Sequence, residues 1–176
     1  MLRRMTAARH PVTSWLAAVR PGFLVVTLAS AMLGVVVAWS CGGGRDLPAA
    51  AATLVLALLA HAAANLYNDW GDAVGGSDAI NHARIAPFTG GSRAVQDGVL
   101  GVAQVREAAQ MLAIVVVGAG VWLAARAGPG LRLVGIAGLT LGWAYSSPRV
   151  ALMARGWGEA AVAAGWWLVV VGADYV

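Results

Sequence analysis

Five long apolar runs dominate this sequence, and they decide what kind of structure the chain can form. The runs are Pro21–Trp39, Pro48–Tyr67, Ala108–Ala125, Gly130–Tyr145 and Gly158–Val176. An apolar stretch of about 17–25 residues is long enough to cross the hydrocarbon core of a bilayer as a helix. The fourth run contains Arg132 near one end, from where a long side chain can reach the membrane surface. The sequence therefore predicts an all-α integral membrane helical bundle with about five transmembrane helices.

The first 20 residues differ from the rest of the chain. They begin with basic residues, but no apolar core precedes a small-residue cleavage site, so we do not expect a cleavable signal peptide. Four apolar residues recur there at helical spacing: Val12, Trp15, Leu16 and Val19. This spacing favours a short helix on the membrane surface. We therefore divide the chain into a cytoplasmic surface segment, residues 1–20, and a transmembrane domain, residues 21–176.

The basic residues set the expected orientation. All 12 are arginines; apart from Arg132 they lie outside the apolar runs, and they do not gather on one surface, which argues against a nucleic-acid partner. With a cytoplasmic N-terminus, three arginines fall outside the cytoplasm (Arg45, Arg126 and Arg132) and the other nine fall inside. Cytoplasmic loops of membrane proteins carry such an excess. We expect a multi-pass protein of the inner (plasma) membrane, with the long hydrophilic segment after the second run, roughly Asp69 to Gln104, in the cytoplasm.

The stretch NLYNDWGD places amides and carboxylates directly after the second apolar run. The four polar residues stand at i, i+3, i+4 and i+7, and they are Asn65, Asn68, Asp69 and Asp72. If the helix continues through them, they share one face within an arc of about 100°. Because a carboxylate facing lipid is costly, this face should line a polar cavity inside the bundle. His61 lies on the same face, and we interpret it as a polar packing residue rather than a ligand.

This polar face is typical of a magnesium site. The chain has one cysteine, which excludes a cysteine-built metal site, and oxygen donors from Asp69 and Asp72 suit Mg²⁺ bound together with substrate phosphates. Arg84 and Arg93, in the loop that follows, could contact phosphate oxygens. A solvated helix end would also explain any one of these aspartates on its own.

Four stretches of the sequence resemble one enzyme family. NLYNDWGDAVGGSD is similar to the first aspartate-rich motif of the UbiA-type membrane prenyltransferases, and WLAAVRPGFLVVTLASAMLG to their first helix with its Arg-Pro entry. FTGGSRAVQDGVL resembles the Gly-Gly-x-Arg loop of the 1,4-dihydroxy-2-naphthoate polyprenyltransferase branch, which makes demethylmenaquinone. YSSPRVALMARGWGE resembles its Tyr-x-x-Pro segment. The stretches occur in the family's order and cover most of the chain.

The resemblance implies a transfer reaction. Mg²⁺ held by Asp69 and Asp72 would bind the diphosphate of a polyprenyl donor, with Asn65, Asn68 and Asp78 in support. The prenyl group would pass to an aromatic acceptor, a quinone precursor. Tyr145, at the cytoplasmic end of the fourth run, would form a wall or hydrogen-bond donor of the pocket, although an interfacial tyrosine would occupy the same position.

The resemblance extends to the N-terminal half of such an enzyme. Family members form a bundle of about nine helices and carry a second aspartate-rich motif in their C-terminal half. By this resemblance the chain corresponds to a C-terminally incomplete domain: a fragment, a truncated gene product, or a half that needs a C-terminal half as its partner. The alternatives are a non-catalytic membrane protein, such as a cation-binding or transport bundle, and an inactive fragment.

Overall fold

The structure, a computed structural model, describes residues 11–42, 45–76, 85 and 91–176. All regular secondary structure in these residues is helical, in agreement with the all-α prediction. The α-helices are α1 Pro11–Val19, α2 Pro21–Ser40, α3 Leu47–Gly75, α4 Val102–Ala127, α5 Pro129–Ser146 and α6 Gly158–Asp174, with a short 3₁₀ helix at Leu152–Ala154.

Three of these helices are long and apolar enough to cross a membrane: α2, α3 and α4. They contain 20, 29 and 26 residues. At 1.5 Å per residue even the shortest is about 30 Å long, which matches the hydrocarbon thickness of a bilayer. The fourth and fifth predicted spans also form helices, α5 and α6, of 18 and 17 residues. These two are not among the three, so the count of five spans stays a prediction.

Helix α3 occupies the centre of the bundle and contacts α1, α2, α4, α5 and α6. It runs without interruption through the polar stretch that follows its apolar run, and it ends at Gly76 in the left-handed conformation that closes many helices. The hydrophilic segment expected from Asp69 to Gln104 is therefore shorter than predicted. Its first residues belong to α3, and α4 already begins at Val102.

Small residues allow the helices to approach closely. Ala31, Val35, Ala50 and Ala173 form a buried cluster between α2, α3 and α6. A Cβ atom on Gly34 would collide with the backbone carbonyl of Val170, so α2 and α6 can meet at this depth only through glycine. Such contacts are the main means by which helices associate in lipid.

A second cluster lies at the other end of α3 and includes the N-terminal helix. Ala18 of α1 is fully buried against Leu66, Val105 and Leu100, whereas Leu16 is 55% exposed. The helix predicted before the first apolar run is confirmed. It packs on α3 through one face, and its position on a membrane surface stays a prediction. The Nδ2 atom of Asn65 donates to the carbonyl of Val19 at 2.8 Å, which satisfies a group at the C-terminal end of α1.

Candidate functional site

The polar face of α3 lies inside the bundle, as the spacing predicts. Asn65, Asp69 and Asp72 are 8%, 3% and 8% exposed. Asn68 is half-buried between α3 and the segment that follows α5. Buried carboxylates require charged or hydrogen-bonding partners, so the neighbours of these side chains decide what the site can do.

Both carboxylate oxygens of Asp69 accept hydrogen bonds. Arg20 forms an ion pair with Oδ1 through its Nη2 atom. The backbone N–H of Ser92 donates to the same oxygen at 3.3 Å, and the Ser92 hydroxyl donates to Oδ2. Asp69 therefore joins three separate parts of the chain: the junction before α2, helix α3 and the loop before α4.

Arg20 lies at the turn between α1 and α2. Its φ of 56° is left-handed, an uncommon conformation for a residue with a side chain. From this turn Nη2 also donates to the Oδ1 atom of Asn68 at 3.2 Å. The Nε atom of Arg20 is buried and has no hydrogen-bond partner among the described residues. The guanidinium thus has unused donor capacity beside a buried carboxylate.

Asn68 connects α3 to the end of α5 and to the short 3₁₀ helix. Its Nδ2 atom donates to the Ser146 hydroxyl at 3.3 Å and lies 3.0 Å from the sulfur of Met153. Tyr145, the predicted pocket wall, is half-buried beside Ser146.

Asp72 borders a cavity of about 190 Å³ at the end of α3. The other lining residues are Ala73, Gly76, Val95, Gln96 and Val102. A cavity of this volume is large enough for water molecules. Asp69 thus lies in a closed hydrogen-bonded network, and Asp72 lines this cavity.

Three further residues were predicted to belong to the site: Asp78, Arg84 and Arg93. Asp78 and Arg84 fall outside the described residues, so their roles stay predictions. Arg93 follows Ser92 directly, and its Nε atom pairs with Asp97 at 3.9 Å. Its proposed contact with phosphate also stays a prediction.

Four residues of the network were not predicted from the sequence: Arg20, Ser92, Ser146 and Met153. A buried aspartate needs a positive partner, and Arg20, placed directly before the first apolar run, was available for that role. Ser92 occupies the variable position of the Gly-Gly-x-Arg stretch, and the site prediction included only the arginine of that stretch. An apolar methionine carries no signal of this kind.

The oxygen donors suit a hard cation, with one restriction. Two carboxylates one helical turn apart, with an amide beside them, match the preference of Mg²⁺. However, Arg20 already balances the charge of Asp69. The part of the chain that the structure describes brings no three acidic, histidine or cysteine side chains together as a metal cluster.

His61 makes the contacts expected of a packing residue. Its Nδ1 atom lies 2.6 Å from the Thr27 hydroxyl, and its ring meets Trp166 edge-on with 5.2 Å between centroids. These contacts join α2, α3 and α6 two turns from Asn68.

No family model, no curated protein and no solved structure matches the chain. The described residues form an all-helical fold with three membrane-length helices and a largely buried cluster of carboxylate, amide and guanidinium groups at one end of the central helix, α3.

Proposed function

We propose that the chain takes part in the Mg²⁺-dependent transfer of a polyprenyl group from its diphosphate to an aromatic acceptor. One observation carries the proposal. The four stretches that resemble the prenyltransferase family lie far apart in the sequence, yet one residue from each meets in a single hydrogen-bonded network: Arg20, Asp69 with its neighbour Asn68, Ser92, and Met153. By the resemblance, the acceptor is 1,4-dihydroxy-2-naphthoate.

The proposed reaction breaks the allylic C–O bond, and its electron pair leaves with the diphosphate. A carbon of the electron-rich ring then bonds to the allylic carbon. The ring expels a proton, or its carboxylate as carbon dioxide, and keeps the electron pair of that bond. When bound at Asp69 and Asp72, Mg²⁺ would supply charge stabilisation for the departing diphosphate.

The chain's own residues would perform the other tasks. Arg20 is a hydrogen-bond donor already placed beside Asp69, and pre-placed donors stabilise developing negative charge. Asn68 holds the end of α5, with Tyr145, against α3. The apolar helices would keep water away from the allylic cation.

The finer topology belongs to the same proposal. We propose five spans in the inner (plasma) membrane, with the N-terminus and the site in the cytoplasm. The arginine distribution supports this orientation. Asp46 caps the start of α3 and pairs with Arg126 at 3.2 Å. Arg126, one of the three arginines expected outside the cytoplasm, therefore pairs with a residue about 39 Å along the helix axis from Asp72.

A non-catalytic role has an observation in its favour. Arg20 neutralises Asp69, and Asn65 donates to Val19, so the same polar groups also fasten α1 to α3. In this alternative the network is a structural joint, or a cation site without a prenyl substrate.

The test is equilibrium binding of geranylgeranyl diphosphate to the chain in lipid nanodiscs, with and without Mg²⁺. Binding is the readout because the resemblance implies that a second aspartate-rich motif shares the catalytic work. We expect Mg²⁺-dependent binding that Asp72→Asn abolishes. Asp46→Asn is the matched control, because it makes the same change at the opposite end of α3 and should have no effect. Mg²⁺-independent binding, or none at all, would favour the non-catalytic role.

A further inference from the structure

The ion pair between Arg20 and Asp69 occupies a predicted cation ligand. Asp69 is 3% exposed, and the Arg20 side chain is 19% exposed. A carboxylate this deeply buried needs a positive charge beside it, and Arg20 provides that charge in the absence of any cation. A divalent cation at Asp69 would provide it instead. Two cations cannot share one carboxylate closely without repelling each other.

Few hydrogen bonds hold the Arg20 guanidinium in its position. Its Nε atom is buried and without a partner among the described residues, so the guanidinium is held by one nitrogen, Nη2. A buried hydrogen-bond donor without an acceptor destabilises the conformation in which it is buried. The left-handed φ of 56° directly before Pro21 adds backbone strain at the same residue. A typical fixed arginine–carboxylate pair uses two parallel hydrogen bonds, and this one does not.

A second acceptor lies within reach of the same nitrogen. Nη2 is 3.2 Å from the Oδ1 atom of Asn68. A small displacement can therefore break the contact with Asp69 while the contact with Asn68 persists. Ser92 donates to both carboxylate oxygens, through its backbone N–H to Oδ1 and through its hydroxyl to Oδ2, and these two hydrogen bonds can hold Asp69 when Arg20 leaves.

We infer that Arg20 is an internal counter-ion that a divalent cation displaces from Asp69. This inference rests on the cation site in the proposed function, and it adds a regulation of that site. Arg20 weakens cation binding at Asp69 and neutralises the carboxylate whenever the cation is absent. The bundle thus keeps its buried charge balanced in both states.

The first experiment measures Mn²⁺ binding to the full chain in nanodiscs by the electron paramagnetic resonance signal of the free ion. Arg20→Gln removes the competing charge, so we expect roughly tenfold tighter binding than in the wild type. Arg20→Lys keeps the charge and should bind nearly as the wild type does. Arg126→Gln removes an arginine from a different arginine–aspartate pair, at Asp46, and serves as the matched control with unchanged affinity. Unchanged or weaker binding by Arg20→Gln would overturn the inference.

The second experiment needs no variant and decides the matter if Arg20→Gln does not fold. Phenylglyoxal modifies guanidinium groups that are not held in ion pairs, and mass spectrometry locates the products. Saturating Mn²⁺ should raise modification of Arg20 in the wild-type chain several-fold and leave Arg126 unchanged. Equal modification of Arg20 with and without Mn²⁺ would overturn the inference.

The outcomes separate this inference from the proposed function. If Asp69→Asn abolishes Mn²⁺ binding but Arg20→Gln leaves it unchanged, the cation site stands and the counter-ion role is wrong. If neither the wild type nor Arg20→Gln binds Mn²⁺ through Asp69, both the cation site and the counter-ion role are wrong.

Discussion

Gly71 of α3 lies directly against the backbone carbonyl of Ser146 at the end of α5, so close that a Cβ atom at this position would collide with it. This contact brings the end of α5 to the polar face of α3. Asn68, one turn before Gly71, can then donate to the Ser146 hydroxyl. The absence of a Cβ atom at Gly71 thus allows the end of α5 to form one wall of the site.

We predict that Gly71→Ala forces α5 away from α3. Overpacking of this kind destabilises a protein by about 1–3 kcal/mol, and here it should also weaken the Asn68–Ser146 contact. Thermal unfolding of the purified chain in detergent measures the first effect, and Mg²⁺-dependent binding of geranylgeranyl diphosphate measures the second. Gly75→Ala is the control, because a Cβ there meets nothing within 4 Å. Equal unfolding temperatures for the two variants would contradict the role of this contact.

A second prediction concerns the attachment of α1. Asn65→Ala removes the donor to the Val19 carbonyl and leaves that group without its partner, which should destabilise the joint by about 1–3 kcal/mol. Hydrogen exchange of the α1 amides should become faster, whereas exchange in α6 should not change. Gln110→Ala deletes a similar amide from an exposed position of α4 and should leave α1 protected. Unaltered exchange in α1 of the Asn65 variant would mean that apolar packing alone holds this helix.

The third prediction is topological. With Cys41 replaced, single cysteines at Asp97 and Arg45 report the two ends of the bundle, because both side chains are exposed. In sealed vesicles with the cytoplasmic side outward, a membrane-impermeant maleimide should label position 97 and spare position 45. The arginine distribution motivates this result. Labelling in the reverse pattern would show that the orientation is wrong.

The sequence predicted the parts of the site that lie on one helix. Asn65, Asn68, Asp69 and Asp72 follow the helical period, and local periodicity depends on no tertiary contact. Helix α4 begins before its apolar run, because Val105 and Ala109 are buried at helical spacing among charged neighbours. A search for continuous apolar residues does not detect this pattern.

The hydrogen-bond partners of Asp69 could not be predicted from helical periodicity. Arg20 reaches Asp69 from 49 positions away, and Ser92 from 23. Such contacts depend on how α1, α3 and the loop before α4 pack together. Sequence reasoning can state that a buried carboxylate needs a counter-charge, but the choice among 12 arginines depends on the fold.

The central claim is that a cation at Asp69 and Asp72 holds the diphosphate of a prenyl donor. The most direct test is electron–nuclear double resonance of Mn²⁺ bound to the chain in nanodiscs, with a non-hydrolysable geranylgeranyl diphosphate analogue present and unbound ions washed away. We predict a phosphorus hyperfine coupling in the wild type and in Asp46→Asn, and its loss in Asp72→Asn. Bound Mn²⁺ without phosphorus coupling, or a coupling that persists in Asp72→Asn, would contradict it.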